Sequence, residues 1–516
     1  MWLFIQDTTF LKHSSFIGNK AVDPNSGSSV PCGGAISVGT QSYGTDMAIY
    51  GCEFEDNSAL NAGGAIIINN AVCSLDVFNS NFIDNTAEAG GAIFFYGKDA
   101  IIMQTSFSGN DPELGGALYI STGDVYIDNV DFNANSADKG GAIYLKNGAT
   151  LELENARFYK NTADEGSAIY ADYGSSLTIN ECSFDENVAT GNYGTVFLGS
   201  DNAVVKNTNF NNNKGGNGGA IFWTGDNGKV TNSNFNQNEA TEGFSGGAIF
   251  AFGDNIEIDN CNFEDNTAAV HGGTIARNNL GAAGGPFGVV SNSNFRNNKA
   301  GNSGGAIYWA GESGTVDNCN FENNEATVNG AAIISTGSDM TIKDSRFDNN
   351  KAATDGAIYF AGNDADLIGD SFTNGQATMG AIVLDGASIS VDKCFFEGNN
   401  GMPVHYNILN SGTIESITDT TFRFIDPTIE LGDTYTYGDE IKMTGTFDWG
   451  VQQPAITMKF TINGNEMETT VLDGKYSFTI DTQPDPGIYT VVIKSFTDAN
   501  GNNYIVNTAE HTFTES

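Results

Sequence analysis

Fifteen phenylalanines recur along this 516-residue chain at nearly fixed spacing: Phe16, Phe54, Phe82, Phe107, Phe132, Phe158, Phe184, Phe210, Phe235, Phe263, Phe295, Phe321, Phe347, Phe372 and Phe396. Fourteen are followed three residues later by asparagine; the copy at Phe372 has Gly375 instead. From Phe82 to Phe235 every step is 25 or 26 residues. A period this short means one small unit stacked on itself, so the repeat decides the fold before local propensity does.

Gly140 to Asn161 shows the unit. Gly-Gly-Ala-Ile-Tyr-Leu is followed by a turn at Lys-Asn-Gly, then Ala-Thr-Leu-Glu-Leu, a bend at Glu-Asn, and Ala-Arg-Phe-Tyr-Lys-Asn. No segment has the 3.6-residue apolar spacing of a helix. Three apolar columns run through the copies. An aliphatic residue lies five before each Phe, as Ile127, Leu153 and Ile179 do. A second follows the glycines, as Ile143, Ile169 and Ile221 do. The phenylalanines are the third. One inward column per strand predicts an all-β, three-sided right-handed parallel β-helix of about 25 residues per rung.

Alternation on the Phe strand fits one buried face. The residue before Phe is polar in most copies (Glu53, Asn81, Asp131, Arg157, Asn209), and the residue two before is small. The aliphatic column is an odd five residues away, so a bend must intervene. Asn79, Asn129 and Asn155, three before Phe, suit it. The Asn of Phe-x-x-Asn should stack rung on rung at ~4.8 Å, its amides bonded along the axis. Five of the seven cysteines, Cys52, Cys182, Cys261, Cys319 and Cys394, stand in the small inward column and read as core residues. Cys32 and Cys73 lie outside that column.

The pattern fades after Phe396. Beyond Asp426-Pro427 come alternating segments such as 440–447, 456–462, 476–480 and 488–493, with hairpin signals at Asn463-Gly464 and Asp473-Gly474. The expected domains are a β-helix over 1–425 and an Ig-like β-sandwich over 426–516.

Acidic residues outnumber basic ones 63 to 22, for a formal net charge of -41. Nucleic acid is excluded as a partner, since phosphate neutralisation needs clustered Lys and Arg. No apolar run approaches the ~20 residues of a transmembrane helix. Met1-Trp-Leu-Phe-Ile5 lacks the basic start and length of a signal peptide. The chain is therefore expected to begin inside its solenoid, as a fragment lacking signal and anchor. The acidic surface attracts cations such as calcium but more often serves solubility than a metal site, so no metal and no cofactor is expected.

Gly-Gly-Ala-Ile paired with Phe-x-x-Asn resembles the repeats of chlamydial polymorphic outer-membrane proteins, over roughly residues 10 to 400. A β-helix followed by an Ig-like domain is similar to adhesin-like proteins of methanogenic archaea. No membrane β-barrel segment follows the repeats, which favours the archaeal type. The resemblance implies an extracellular, cell-surface, non-enzymatic adhesin binding glycans or surface proteins of host or neighbouring cells.

The expected binding surface is the column after the isoleucines: Phe94, Tyr119, Tyr144, Tyr170, Phe197, Phe222, Phe250, Tyr308 and Tyr359. With Ile inward these rings point outward, as an exposed stripe able to stack on sugars. The alternative is a polysaccharide lyase or glycoside hydrolase of the pectin-lyase-like β-helix type. Its candidate region is His271, Arg277 and the insertion Gly281-Ala-Ala-Gly-Gly-Pro286; no paired-Asp motif accompanies it.

Overall fold

A computed structural model describes residues 9–21, 32–39, 44–241, 243–278, 288–377, 379–385, 388–399, 407–410, 412–425, 427–447, 451, 455–480 and 486–516. Met1–Ile5, the insertion 281–286 and Asp426 lie outside them. Every regular element among the described residues is a β-strand. The chain divides into two compact units, Met1–Gly301 and Asn302–Ser516.

In the first unit each rung pairs in parallel with the next, like residue on like. Phe132 is level with Phe158, and Phe158 with Phe184. In-register pairing places the rings face to face, with centroids 4.8 Å and 4.6 Å apart across these steps. The spacing is that of neighbouring strands, so the backbone ladder sets the stack. Phe158 is fully buried, as are Ile143 and Leu153 of its rung.

The expected bend is an αL residue. Asn129, Asn155 and Asn207, three before Phe, have φ of 53°, 51° and 52°. A second αL residue sits two after Phe, at Ala134, Lys160 and Asn212. Two reversals bracketing a three-residue strand explain why the Phe strand is so short. Asn suits such sites because its side chain tolerates αL. The glycine pair has two separate reasons. Gly140 has φ +65°, and a Cβ there would meet Ile143 O at 2.2 Å; a Cβ on Gly141 would meet Ser167 O of the next rung at 2.1 Å.

The rung of Phe158 holds four strands rather than the expected three: Ile143–Leu145, Ala149–Glu154, Arg157–Tyr159 and Thr162–Glu165. The fourth buries a single small residue, Ala163, and its equivalents Ala189 and Ala240. One alanine gives too little apolar signal to be read as a strand from periodicity.

The asparagines form the expected ladder. Asn135 Nδ2 donates to Asn161 Oδ1 (3.0 Å) and to Phe107 O (3.0 Å), while Asn135 N–H also donates to Asn161 Oδ1 (3.0 Å). Both amide hydrogens are used, so full burial costs little. The five cysteines of the small inward column are buried, as is Cys73; Cys32 is half-buried. Burial pushes the Cys182 and Cys261 thiols up to about 12.

In the second unit the Phe stack continues past the last expected copy. Phe422 lies 5.2 Å from Phe396, and Tyr504 lies 5.8 Å from Phe422. Strand Asn503–Val506 pairs in parallel with Thr421–Ile425, so residues beyond the expected boundary at 425 return to the β-helix. Asn502 imitates a rung residue: its Oδ1 accepts Thr420 N–H (3.1 Å) and its Nδ2 donates to Ile417 O (3.0 Å). From Thr434 to Glu515, before and after strand Asn503–Val506, the chain builds a seven-stranded sheet. Its order is Thr434–Tyr435, Ala509–Glu515, Gly487–Ile493, Ile456–Ile462, Asn465–Leu472, Lys475–Ile480 and Ile441–Thr446. All pairs are antiparallel except the first. Asn463-Gly464 and Asp473-Gly474 both have positive φ at each turn residue, the primed geometry that joins twisted strands.

Candidate functional site

The aromatic column after the isoleucines forms a second ring stack in the first unit. Successive centroids from Phe94 through Tyr119, Tyr144, Tyr170, Phe197 and Phe222 to Phe250 lie between 4.3 Å and 5.7 Å apart. It ends where Ala276 falls level with Phe250. In the second unit Tyr308 and Tyr359 are separated by Ile334, so their column is not a continuous ring stack.

The expected uniform exposure does not hold. Phe94, Tyr119, Tyr144, Tyr308 and Tyr359 are half-buried, whereas Tyr170, Phe197, Phe222 and Phe250 are buried. Other aromatics cover the buried part. Tyr193 lies 4.3 Å from Phe222 and 5.2 Å from Phe197; Phe252 lies 5.0 Å from Phe250 and 5.7 Å from Phe222, edge-on. Burying large apolar faces outside the tube is favourable by about 25 cal/mol per Å², so this end of the stripe is a small outer core. The accessible part is Phe94 to Tyr144.

Polar groups gather beside that part. Tyr144 OH lies 3.5 Å from Asp172 Oδ2, and burial followed by the Asp172 charge pushes the Tyr144 and Tyr119 phenols up. Lys139 Nζ stands 4.8 Å over the Tyr170 ring and 2.7 Å from Glu165 Oε2. The same register recurs in the second unit, where Tyr359 OH donates to Asp385 Oδ2 at 2.6 Å. Asp355, 4 % exposed, joins it there; burial and then the Asp385 charge push its carboxyl up to about 6.

Tyr193 and Asp355 escaped the sequence reading, yet the signal was present. Both stand in the column of the first glycine, where Gly140, Gly166 and Gly218 have positive φ. Neither has positive φ itself, so the turn is rebuilt there and carries a side chain.

The alternative region is differently built. Arg277 stands level with Ala251 and is 1 % exposed. It donates to Phe252 O and to Asn278 O (3.3 Å), and pairs with Asp254 at 2.8 Å. Burial pulls its pKa down. These contacts tie it to the neighbouring rung. His271 is half-buried, and burial lowers its pKa too. Among the described residues no group of three His, Cys, Asp or Glu side chains is placed to hold a metal ion, and no helix is long and apolar enough to cross a membrane.

The sequence matches the family model described as "Right handed beta helix region" over residues 65–235 and 189–396. No curated protein matches the chain. Two solved structures are among those the chain is similar to. A tailspike protein of E. coli bacteriophage HK620, in complex with a pentasaccharide, shares 11% identity over 98% of this chain and 86% of its own, with a TM-score of 0.44. An alginate lyase complex shares 10% identity over 74% of this chain and 79% of its own, with a TM-score of 0.34.

Proposed function

The chain belongs to the right-handed β-helix family, and on that premise we propose that it is a non-enzymatic, extracellular adhesin-like protein of the cell surface that binds glycans. Its proposed kin are the adhesin-like proteins of methanogenic archaea. The proposal includes a three-sided cross-section and an Ig-like C-terminal sandwich; the antiparallel pairing of Ile441–Thr446 with Lys475–Ile480, and of Gly487–Ile493 with both Ile456–Ile462 and Ala509–Glu515, supports the latter.

One observation carries the binding reading: three stacked, half-buried rings, Phe94, Tyr119 and Tyr144, border a phenol–carboxylate pair and a Lys–Glu pair. Flat rings take the apolar face of a sugar, and carboxylates and phenols take its hydroxyls. A glycan array should show saturable retention without release of sugar ends, and Tyr119→Ala with Tyr144→Ala should abolish it. Retention unchanged in that double variant would remove the stripe as the site. Retention of surface proteins but of no glycan would move the proposal to a protein partner.

The second reading is a polysaccharide lyase or glycoside hydrolase, and Asp355 is what favours it. A buried carboxyl pushed up to about 6, beside a second carboxyl at Asp385, has the character of an acid–base pair. Release of reducing or unsaturated ends from a polysaccharide panel, lost in Asp355→Asn, would establish it over the first.

A further inference from the structure

A groove of about 420 Å³ lies in the second unit. It lies on the outward face of the strands that end the Phe stack. Phe395, Thr421, Arg423, Ser495, Phe496, Thr497 and Asn503 line it, with Tyr504 and Ile505. Its volume falls within the range of small-ligand sites, about 300–1,000 Å³. In a chain with 63 acidic residues, its lining carries no carboxylate.

Phe395 is the second departure. It occupies the outward position directly before Phe396, where each of the other fourteen copies carries a polar residue. On the sheet it stands between Ser371 and Thr421, and Thr421 stands beside Asn503. A large ring between small polar neighbours makes a shelf. The Arg423 guanidinium stands 5.2 Å over that ring. Its ion pair with Glu397 is long, at 3.7 Å, and its side chain is 41 % exposed. Phe496 forms the opposite wall, half-buried and fixed by Tyr504 at 4.8 Å and Phe447 at 5.6 Å.

We infer that this groove binds a saccharide bearing a carboxylate, with Arg423 taking the carboxylate and Phe395 and Phe496 flanking the ring. Arg pairs with carboxylates through two parallel N–H bonds, which a hydroxyl cannot match. Aromatic faces take the C–H side of a sugar, and the Thr, Ser and Asn groups suit its hydroxyls. This site is independent of the Phe94–Tyr144 stripe and stands or falls on different residues.

The test uses the full chain and a tetrasaccharide alternating glucuronic acid and N-acetylglucosamine, beside the same sugar with its carboxylates reduced to alcohols. Calorimetry should show the acidic form binding at least tenfold more tightly. Arg423→Gln should cost about tenfold, the order of one charge-assisted pair, and Arg423→Lys should recover only part. Phe395→Ser, the residue type of several other rungs, should weaken both forms together. Tyr119→Ala with Tyr144→Ala should leave this binding intact, which separates it from the stripe. Equal affinity for the two sugars, no binding of either, indifference to Arg423→Gln, or tighter binding of a tetraglutamate peptide would each overturn the assignment.

Discussion

The rung of Phe158 and the rung of Phe372 have the same plan and differ at three places. The first follows every column: Gly140 and Gly141, the small Ala156, and Asn161 in the ladder. The second carries Asp355 for the first glycine, Asp370 for the small inward residue, and Gly375 for the ladder asparagine. Yet Phe372 is fully buried, 4.9 Å from Phe347 and 5.1 Å from Phe396. The Phe stack therefore sets the register, while the polar ladders add to it and can be interrupted. Departures from a repeat gather where something other than folding is being selected, and two of these three are buried carboxyls.

The largest effect should come from the stack itself. Phe158→Ala should cost about 3–5 kcal/mol, read as a fall in urea midpoint. Phe372→Ala should cost a similar amount if the stack rather than the ladder governs both rungs. A much smaller loss at Phe372 would mean that its rung is already loosened.

Asp370 gives the next contrast. It is fully buried, and burial outweighs the N–H donors of Ser345 and Ile368 to push its carboxyl from 3.8 up to about 7. A raised folded pKa favours the protonated form, so its penalty is absent below pH 3.8, grows as pH rises toward about 7, and is then constant. At about 1.36 kcal/mol per unit, the full penalty is on the order of 4 kcal/mol. Asp370→Ser should therefore stabilise the protein at pH 8 and change little at pH 4. Denaturation curves parallel to the parent's across that window would show that the carboxyl is not held neutral.

The ladder should weigh less. Asn161→Ala removes an amide that donates to Phe132 O and Asn187 Oδ1, and should cost about 2–3 kcal/mol. Gly375→Asn would restore the missing member and should gain about 1 kcal/mol. A loss there would show that the second rung needs its gap. The smallest effect belongs to the αL sites. Ala134 holds φ of 50° without the side chain that makes it tolerable in Asn, so Ala134→Gly should stabilise by about 0.5–1 kcal/mol, visible in the thermal midpoint.

The stacked fold was legible because identical residues fall into register, and parallel pairing converts sequence period into spatial contact. The four-strand rung was less so, since Ala163 and its equivalents give no amphipathic signal. The site was half legible. Periodicity found the aromatic column, but not which of its rings are covered. Tyr193 and Asp355 could have been found by asking what replaces the first glycine. Phe395 could have been found by asking what interrupts the polar column before Phe.

By itself the sequence determined the stacked repeat, its inward columns, the bend three before Phe and the Asn ladder, because each depends only on a residue and its copy one period away. Tertiary structure alone decided that Phe422 and Tyr504 extend the Phe stack, that Tyr193 and Phe252 close over one end of the stripe, and that Phe395, Arg423 and Phe496 meet in one groove. Those contacts join residues from different elements and, in the case of Tyr504, from across an 82-residue excursion between Thr420 and Asn502. Burial there depends on which surfaces face each other, and no repeat encodes that.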